Sequence, residues 1–307
     1  MSANVETMFS VRLTPWHGLG TIVQEALTSD EALKIAELDW RVEQHPIFVD
    51  NKQVDNYVAN VRLSDQSVLG IVTERYQIVQ NREAFSFTDG LLDYNVKYET
   101  AGSLAGGRRV WMLAKMPETY ILEDKVVPYL VFTNSHDGKG SIKVAVTPIR
   151  VVCQNTLNLA LSSAYRSWST KHIGDMDAKM EEAKRTLIMS KLYMSELKAT
   201  AEKLAKRDIY QKQFIEFVEE LYPITNDMGD RKSDNILILR QDLTMRYLQA
   251  PDLKAYMNTA WGIIEAVSDH ATHMLPLKRS KTYYENNFIK TVDGNPVIDR
   301  AFELLAS

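Results

Sequence analysis

The spacing of apolar residues changes once along this 307-residue chain, and that change limits the fold more than any other feature. Between residues 40 and 146, apolar residues mostly alternate with polar ones, which is typical of β-strands. Between residues 177 and 206, they recur every three to five positions with Lys and Glu between them, which is typical of an amphipathic helix. The sequence therefore predicts an α+β fold, with antiparallel β-meanders and short helices in the N-terminal half and a helical C-terminal half.

The change of pattern falls near Ile173-Gly174-Asp175. It predicts a strand-rich α+β domain at residues 1–172 and a helical domain at residues 173–307. Within the first domain, a predicted helix precedes each of two strand sets. We therefore expect an internal duplication near residues 1–93 and 94–172.

Capping and turn residues add detail to this outline. Thr28 is predicted to cap a helix that runs to about Leu38, and Asn81 to cap a helix that runs to about Leu92. The Asp137-Gly138 step predicts a tight reversal between two paired strands. Later in the chain we expect a loop at residues 225–233 and helices at residues 208–221 (capped by Asp208), 237–249, 257–275 and 296–305.

Cys153 is the only cysteine, which excludes an internal disulfide and favours a reducing compartment. The first ten residues lack the basic and apolar regions of a signal peptide. No segment approaches the roughly 18 consecutive apolar residues that cross a bilayer. We therefore expect a soluble cytoplasmic protein with no membrane partner.

Charge is unevenly distributed, although the net charge is only −4. Residues 1–98 hold 8 Lys and Arg against 14 Asp and Glu, and residues 173–307 hold 19 against 21. Residues 99–172 hold 9 against 5, so the middle of the chain has a net charge of +4. A surface that binds a polyanion is therefore most readily placed in this middle segment.

Few residue patterns indicate catalysis. Gly18-Leu19-Gly20 and Gly106-Gly107 lack the spacing of a nucleotide-binding loop. His270 and His273 share one helix face but supply only two of the three or four ligands that a metal site needs. We therefore expect no enzyme activity, no cofactor and no bound metal.

The segment from Lys139 to Lys171 combines cations, amides and aromatic residues, which are the types that neutralise phosphates and stack bases along a single nucleic-acid strand. A paired cation beside the glycines at 106 and 107 adds to it, and a later run interleaves cations with two tyrosines. The candidate nucleic-acid contacts are Arg108, Arg109, Lys143, Arg150, Tyr165, Arg166, Trp168 and Lys171, with Lys278, Arg279 and Lys281 as a secondary group.

Three strings of residues carry a resemblance to a known family. They are Trp16-His17-Gly18-Leu19-Gly20, the string from Phe132 to Gly138 (FTNSHDG), and the string from Thr147 to Leu157 (TPIRVVCQNTL). The segment from Trp261 to His270 looks like the C-terminal helix of the same family. The chain thus resembles the phage/plasmid-like proteins grouped as domain of unknown function 932. That resemblance implies a mobile element in a host-cell cytoplasm but no established reaction, so no functional residue is carried over.

The predicted topology has a weaker likeness to a second group. A short helix, an antiparallel meander and a second helix resemble the single-strand annealing proteins of the Rad52 and RecT kind. This resemblance implies self-association into a ring or filament that holds DNA in a basic groove. The acidic meander at residues 40–72 departs from such a groove.

Three functional hypotheses follow. The leading one is a non-enzymatic, self-associating phage or mobile-element protein that binds or anneals single-stranded DNA, with a role in recombination. The alternative is a structural or host-interaction (anti-defence) phage protein that acts through protein–protein contacts. An enzyme with an unfamiliar site around Cys153, His136 and Asp137 stays open as a third.

Overall fold

The computed structural model describes residues 8–10, 28–86, 88–89, 97–150, 167–274, 281, 283, 286, 289–290 and 293–306. Antiparallel sheets form its N-terminal half and most of its helices lie in the C-terminal half, which confirms the predicted α+β class. None of the helices within these residues is long and apolar enough to cross a membrane.

A short N-terminal strand and helix come first: β1 (Met8–Ser10) and α1 (Ser29–Ile35). The predicted cap is confirmed, since the Thr28 hydroxyl accepts a hydrogen bond from the Glu31 amide at 3.2 Å. The Glu31 carboxylate in turn accepts one from the Thr28 amide at 3.0 Å, which completes a capping box.

A three-stranded antiparallel sheet follows, as predicted. Its strands are β2 (Val42–Val49), β3 (Lys52–Arg62) and β4 (Ser67–Thr73), in that order across the sheet. Asp65 closes the turn between the last two strands, because its carboxylate pairs with Arg62 at 2.6 Å and accepts from the Ser67 backbone amide at 3.1 Å. The next helix is α2 (Asn81–Ser86), so Asn81 is its first residue and not the residue that precedes it. The rest of the predicted helix, toward Leu92, lies partly outside the described residues.

The second strand set forms a seven-stranded antiparallel sheet in the order β1-β5-β6-β8-β9-β10, with β7 paired to β8. The alternating pattern predicted the long central strands but not β1, β7 or β10, because three or four residues are too few to show a period of two. The strands are β5 (Lys97–Leu104), β6 (Arg109–Lys115), β7 (Thr119–Ile121), β8 (Asp124–Ser135), β9 (Ile142–Arg150) and β10 (Ser167–Thr170).

The C-terminal half of the described chain is helical. Two predicted boundaries there are wrong. Asp208 does not cap a helix, because its backbone forms a β-bridge with Thr259 and the helix begins at Gln211. The predicted loop at residues 225–233 ends early, since a helix begins at Asp230. The helices are α3 (Met176–Ala205), α4 (Gln211–Leu221), α5 (Asp230–Gln249), a 3-10 helix (Pro251–Tyr256), α6 (Ala260–His273) and α7 (Pro296–Ala306).

One hydrophobic core runs through both halves of the chain. It joins side chains from one face of the seven-stranded sheet, such as Phe132, to helical side chains such as Leu197 and Trp261. The opposite face of the sheet carries a smaller buried cluster that includes Trp111 and Tyr129. The sheet is therefore buried on both faces over much of its length.

Candidate functional site

The turn between β8 and β9 is tightly organised by one carboxylate. Asp137 Oδ1 accepts hydrogen bonds from the Ser135 hydroxyl at 2.7 Å, from the Lys139 amide at 2.8 Å and from the Gly140 amide at 3.3 Å. Gly138 has a φ of 72°, a conformation that L side chains rarely adopt. The predicted Asp-Gly reversal is confirmed, and it fixes the positions of Lys139 and Gly140 at the end of the sheet.

Strand register brings two of the candidate cations onto one face of the sheet. Arg109 pairs with Ser135 across β6 and β8, and Lys143 pairs with Thr133 across β9 and β8. Directly paired residues of an antiparallel sheet project to the same side, and alternate residues of one strand do so too. Arg109, Thr133 and Lys143 therefore share the face opposite the helical core.

These side chains line a pocket of about 170 Å³. The sheet forms its floor, the turn after β8 forms one wall, and residues from the late part of the chain form another. Among the residues that the structure describes, three cations and one carboxylate line the pocket, and together they carry a formal charge of +2. Its lining consists of Arg109, Thr133, Lys139, Gly140, Ser141, Lys143, Ile289 and Asp293.

The three cations differ in their partners. Lys143 Nζ lies 2.6 Å from Asp293 Oδ1, and the Lys143 side chain is only 16% exposed whereas that of Asp293 is 55% exposed. Arg109 and Lys139 form no ion pair with any residue that the structure describes. Arg109 is half-buried, and no described residue supplies it with a counter-charge. The pocket is therefore suited to an anion.

Gly140 shapes the wall of this pocket. A Cβ atom at Gly140 would lie 2.6 Å from Ser135 Oγ and 3.6 Å from Arg109 Nη2. Any larger residue would thus press on Ser135 and narrow the space beside the Arg109 guanidinium. Glycine keeps the guanidinium accessible from the pocket.

The remaining candidates that the structure describes, Arg108, Trp168, Lys171 and Lys281, do not line the pocket. Arg108 is exposed in the turn before β6, and Lys171 and Lys281 are exposed. Trp168 pairs with Val144 on the opposite face of the sheet and packs against the main core, so it does not stand beside Lys143. Outside the described residues lie Tyr165, Arg166, Lys278, Arg279, Cys153 and the side chain of Arg150.

Six of the eight residues given above as lining the pocket were not among the candidates from sequence, and Lys139, Thr133 and Asp293 show why. The sequence could have indicated Lys139, because this residue follows the Asp-Gly turn and therefore lies where two strands end. No comparable signal indicated Thr133 or Asp293, because their role depends on strand register and on a contact across 150 positions of the chain.

A buried polar network supports the pocket from the other side of the turn. His136 Nε2 lies 2.9 Å from Asn81 Oδ1, and the side-chain amide of Asn60 donates to the His136 backbone carbonyl at 2.8 Å. The side-chain amide of Asn134 donates to the Val79 backbone carbonyl at 2.8 Å. Burial, with a smaller effect of nearby His172, lowers the pKa of His136 to about 3. His136 is therefore a neutral residue that joins the two sheets.

His270 takes part in a second polar network, on the helices. Its Nε2 lies 2.7 Å from the Tyr222 hydroxyl and its Nδ1 lies 2.7 Å from Asp242 Oδ2. Burial lowers the pKa of His270. Within the described part of the chain, no three His, Cys, Asp or Glu side chains gather as metal ligands. His270 thus connects α4, α5 and α6.

Comparison with known proteins gives one match. A family model described as "Domain of unknown function (DUF932)" matches residues 68–291, which include Arg109, the turn after β8 and Lys143. Neither a search of curated proteins nor a search of solved structures found a match. The likeness to single-strand annealing proteins receives no support from these comparisons. The match covers well over half of the chain, and the chain belongs to the family described as Domain of unknown function (DUF932).

Proposed function

We propose that this protein binds single-stranded DNA without catalysing a reaction, and that Arg109, Lys139 and Lys143 contact its phosphates. The observation that carries the proposal is the half-buried Arg109 guanidinium, which faces the pocket without an ion-pair partner among the described residues. A guanidinium presents parallel N–H donors that match a phosphate, and charge-assisted bonds of this kind are roughly twice as strong as neutral ones.

Cations outside the pocket extend the proposed contact surface. Arg108 directly precedes the pocket residue Arg109, while Lys171 follows β10 at the neighbouring edge of the sheet. Arg108 and Lys171 form no ion pair with any described residue, so they could neutralise further phosphates of an extended strand. Because each contact releases condensed counterions, binding is expected to weaken steeply with salt.

The proposal also includes a cellular role. The resemblance to phage/plasmid-like proteins supports a mobile-element setting in a host cytoplasm, where a strand-binding protein would anneal DNA during recombination. Self-association into a ring or filament would place several pockets along one strand. Each added pocket would raise the effective affinity for long strands, because later contacts become intramolecular.

The proposal is tested by retention of a labelled oligothymidylate at low salt. Wild type is expected to bind, and binding should weaken about tenfold or more when Arg108→Ala and Arg109→Ala are combined, since a charged hydrogen bond contributes about 1.5–3 kcal/mol. Lys212→Ala on α4 is the matched control, because it removes an exposed cation that does not line the pocket. Absence of binding by wild type at low salt would rule the proposal out.

A second candidate function is a protein–protein interaction through α5. Leu237, Ile238, Met245 and Leu248 lie within one stripe of this helix and are between 40% and 56% exposed. An exposed apolar stripe on a helix is a feature of interaction surfaces. Size measurement with and without DNA separates the two functions, because a structural or host-interaction protein would assemble regardless of nucleic acid.

A further inference from the structure

We infer that the pocket takes a phosphate monoester, either the terminal phosphate of a DNA strand or a free nucleotide, and that this group displaces the Asp293 carboxylate from Lys143. The inference rests on the proposed phosphate binding at the same pocket. It specifies the class of phosphate that binds, and it assigns to the Asp293 carboxylate the role of competing with that phosphate for Lys143.

The dimensions of the pocket favour a small group. Its volume of about 170 Å³ lies below the range of about 300–1,000 Å³ that is usual for sites of drug-sized ligands. Walls stand on two sides, formed by the turn at Lys139 to Ser141 and by Ile289 with Asp293. A phosphodiester within a strand is bonded to a sugar on each side, so the strand must leave the pocket in two directions. A monoester is bonded to one sugar only, so the rest of the ligand leaves in one direction.

The charges of the pocket favour a dianion. Asp293 already pairs with Lys143 at 2.6 Å, so an incoming phosphate must replace a carboxylate. A phosphodiester carries one negative charge and gains nothing in charge by this exchange. A monoester carries about −1.5 to −2 at pH 7, so it interacts more strongly with the three cations once Asp293 has left.

The position of Asp293 allows its carboxylate to move away from Lys143. Its side chain is 55% exposed at the rim of the pocket, whereas Lys143 is largely buried, so the carboxylate can return to water at little cost in solvation. The Lys143 ammonium could not withdraw in the same way. In the bound state Arg109 supplies two parallel donors, Lys143 and Lys139 supply charge, and Thr133 on the floor and Ser141 on the wall add hydroxyls to the lining.

The test compares oligothymidylates of equal length that carry a 5′-phosphate, a 3′-phosphate or hydroxyls at both ends. Wild type is expected to bind at least one phosphorylated form about tenfold more tightly than the unphosphorylated form. Asp293→Asn is expected to improve binding of the unphosphorylated form and to reduce the difference. Asp234→Asn on α5 is the control, because it changes the net charge equally but does not line the pocket.

Deoxythymidine monophosphate, added as a competitor and titrated alone by calorimetry, separates the two sources of the monoester. Competition as strong as that of the phosphorylated strand assigns the pocket to free nucleotides, and much weaker competition assigns it to strand ends. Equal affinity for all three oligonucleotides, with no nucleotide binding, overturns the inference and leaves the proposed function in place. Nucleotide binding with no strand binding supports the inference and removes the proposed function, and no binding of any probe removes both.

Discussion

Gly70 on β4 lies directly against Asp137 in the turn between β8 and β9, and a Cβ atom added at Gly70 would stand 2.5 Å from the Asp137 Cα. The same turn presses on the three-stranded sheet a second time, because a Cβ at Gly138 would lie 2.8 Å from Val72 Cγ1. The string FTNSHDG thus holds the two sheets together on one side. The residues that follow it, Lys139 to Ser141, form a wall of the cationic pocket.

Gly70→Ala is therefore expected to destabilise the protein. The contact is with backbone atoms, which cannot rotate away, so the turn or β4 must shift at a cost of about 1–3 kcal/mol, as in other overpacked sites. The free energy of unfolding in urea measures the effect. Thr73→Ala on the same strand is exposed and should change that free energy by less than about 1 kcal/mol. Equal stability of Gly70→Ala and wild type would contradict the close packing of the two sheets.

Acid is expected to destabilise the protein through His136 and His172. Burial lowers the pKa of His136 to about 3 and that of His172 to about 4, so the unfolded chain binds more protons below a pH of about 6.5. Stability is therefore fully present above that pH and is lost as pH falls toward the folded-state pKa values. Each histidine should contribute a loss of about 2 kcal/mol between pH 7 and pH 5.

Urea midpoints at pH 7 and pH 5 measure this loss. His172→Phe keeps a ring to stack on Tyr76, whose ring centroid lies 4.7 Å from that of His172, and should reduce the pH dependence by about half. A midpoint that does not move between pH 7 and pH 5 would mean that the buried histidines do not control acid stability.

Gly140→Ala is expected to weaken DNA binding more than it changes stability. The added methyl group would press on Ser135 Oγ at 2.6 Å and enter the space beside Arg109 Nη2. Oligothymidylate affinity should fall several-fold, and the loss should be absent when Arg109→Ala is already present, because both changes act on the same contact. Additive losses in the double variant would indicate that Gly140 acts independently of Arg109.

Leu237→Lys combined with Leu248→Lys is expected to disrupt any self-association that uses the α5 stripe. Both side chains are more than half exposed, so the substitution should leave the fold intact while it places two charges in an apolar contact. Sedimentation velocity measures the size of the assembly. An unchanged size would exclude the stripe as the contact surface.

Much of the fold could be predicted from sequence because its long elements carry a clear period. The strands around Val61 and Leu113 and the helix around Leu197 show regular spacing, and the Asp137-Gly138 step predicted the reversal between β8 and β9. Short elements could not be predicted, since a strand such as Met8–Ser10 has only three residues in which a pattern could show. Asp208 was mistaken for a cap because its backbone bonds to Thr259, a contact across 51 positions that no local signal shows.

The pocket could be predicted only in part, for the same reason. Arg109 and Lys143 were identified by residue type, but register alone decides which side chains share a face. Lys143 pairs with Ser169, and this pairing turns the adjacent Trp168 to the other side of the sheet. Asp293 reaches Lys143 from a distant part of the chain, so its competition with a phosphate follows from the structure and not from any sequence motif.

The most direct test of DNA binding at this pocket is the salt dependence of oligothymidylate affinity in wild type and in Arg109→Ala. Each phosphate contact contributes about 0.7 to the slope of log K against log salt concentration for single strands, so Arg109→Ala should lower the slope by about that amount. Lys212→Ala should leave it unchanged. The same slope in Arg109→Ala as in wild type, or no measurable binding at low salt, would contradict phosphate binding by Arg109.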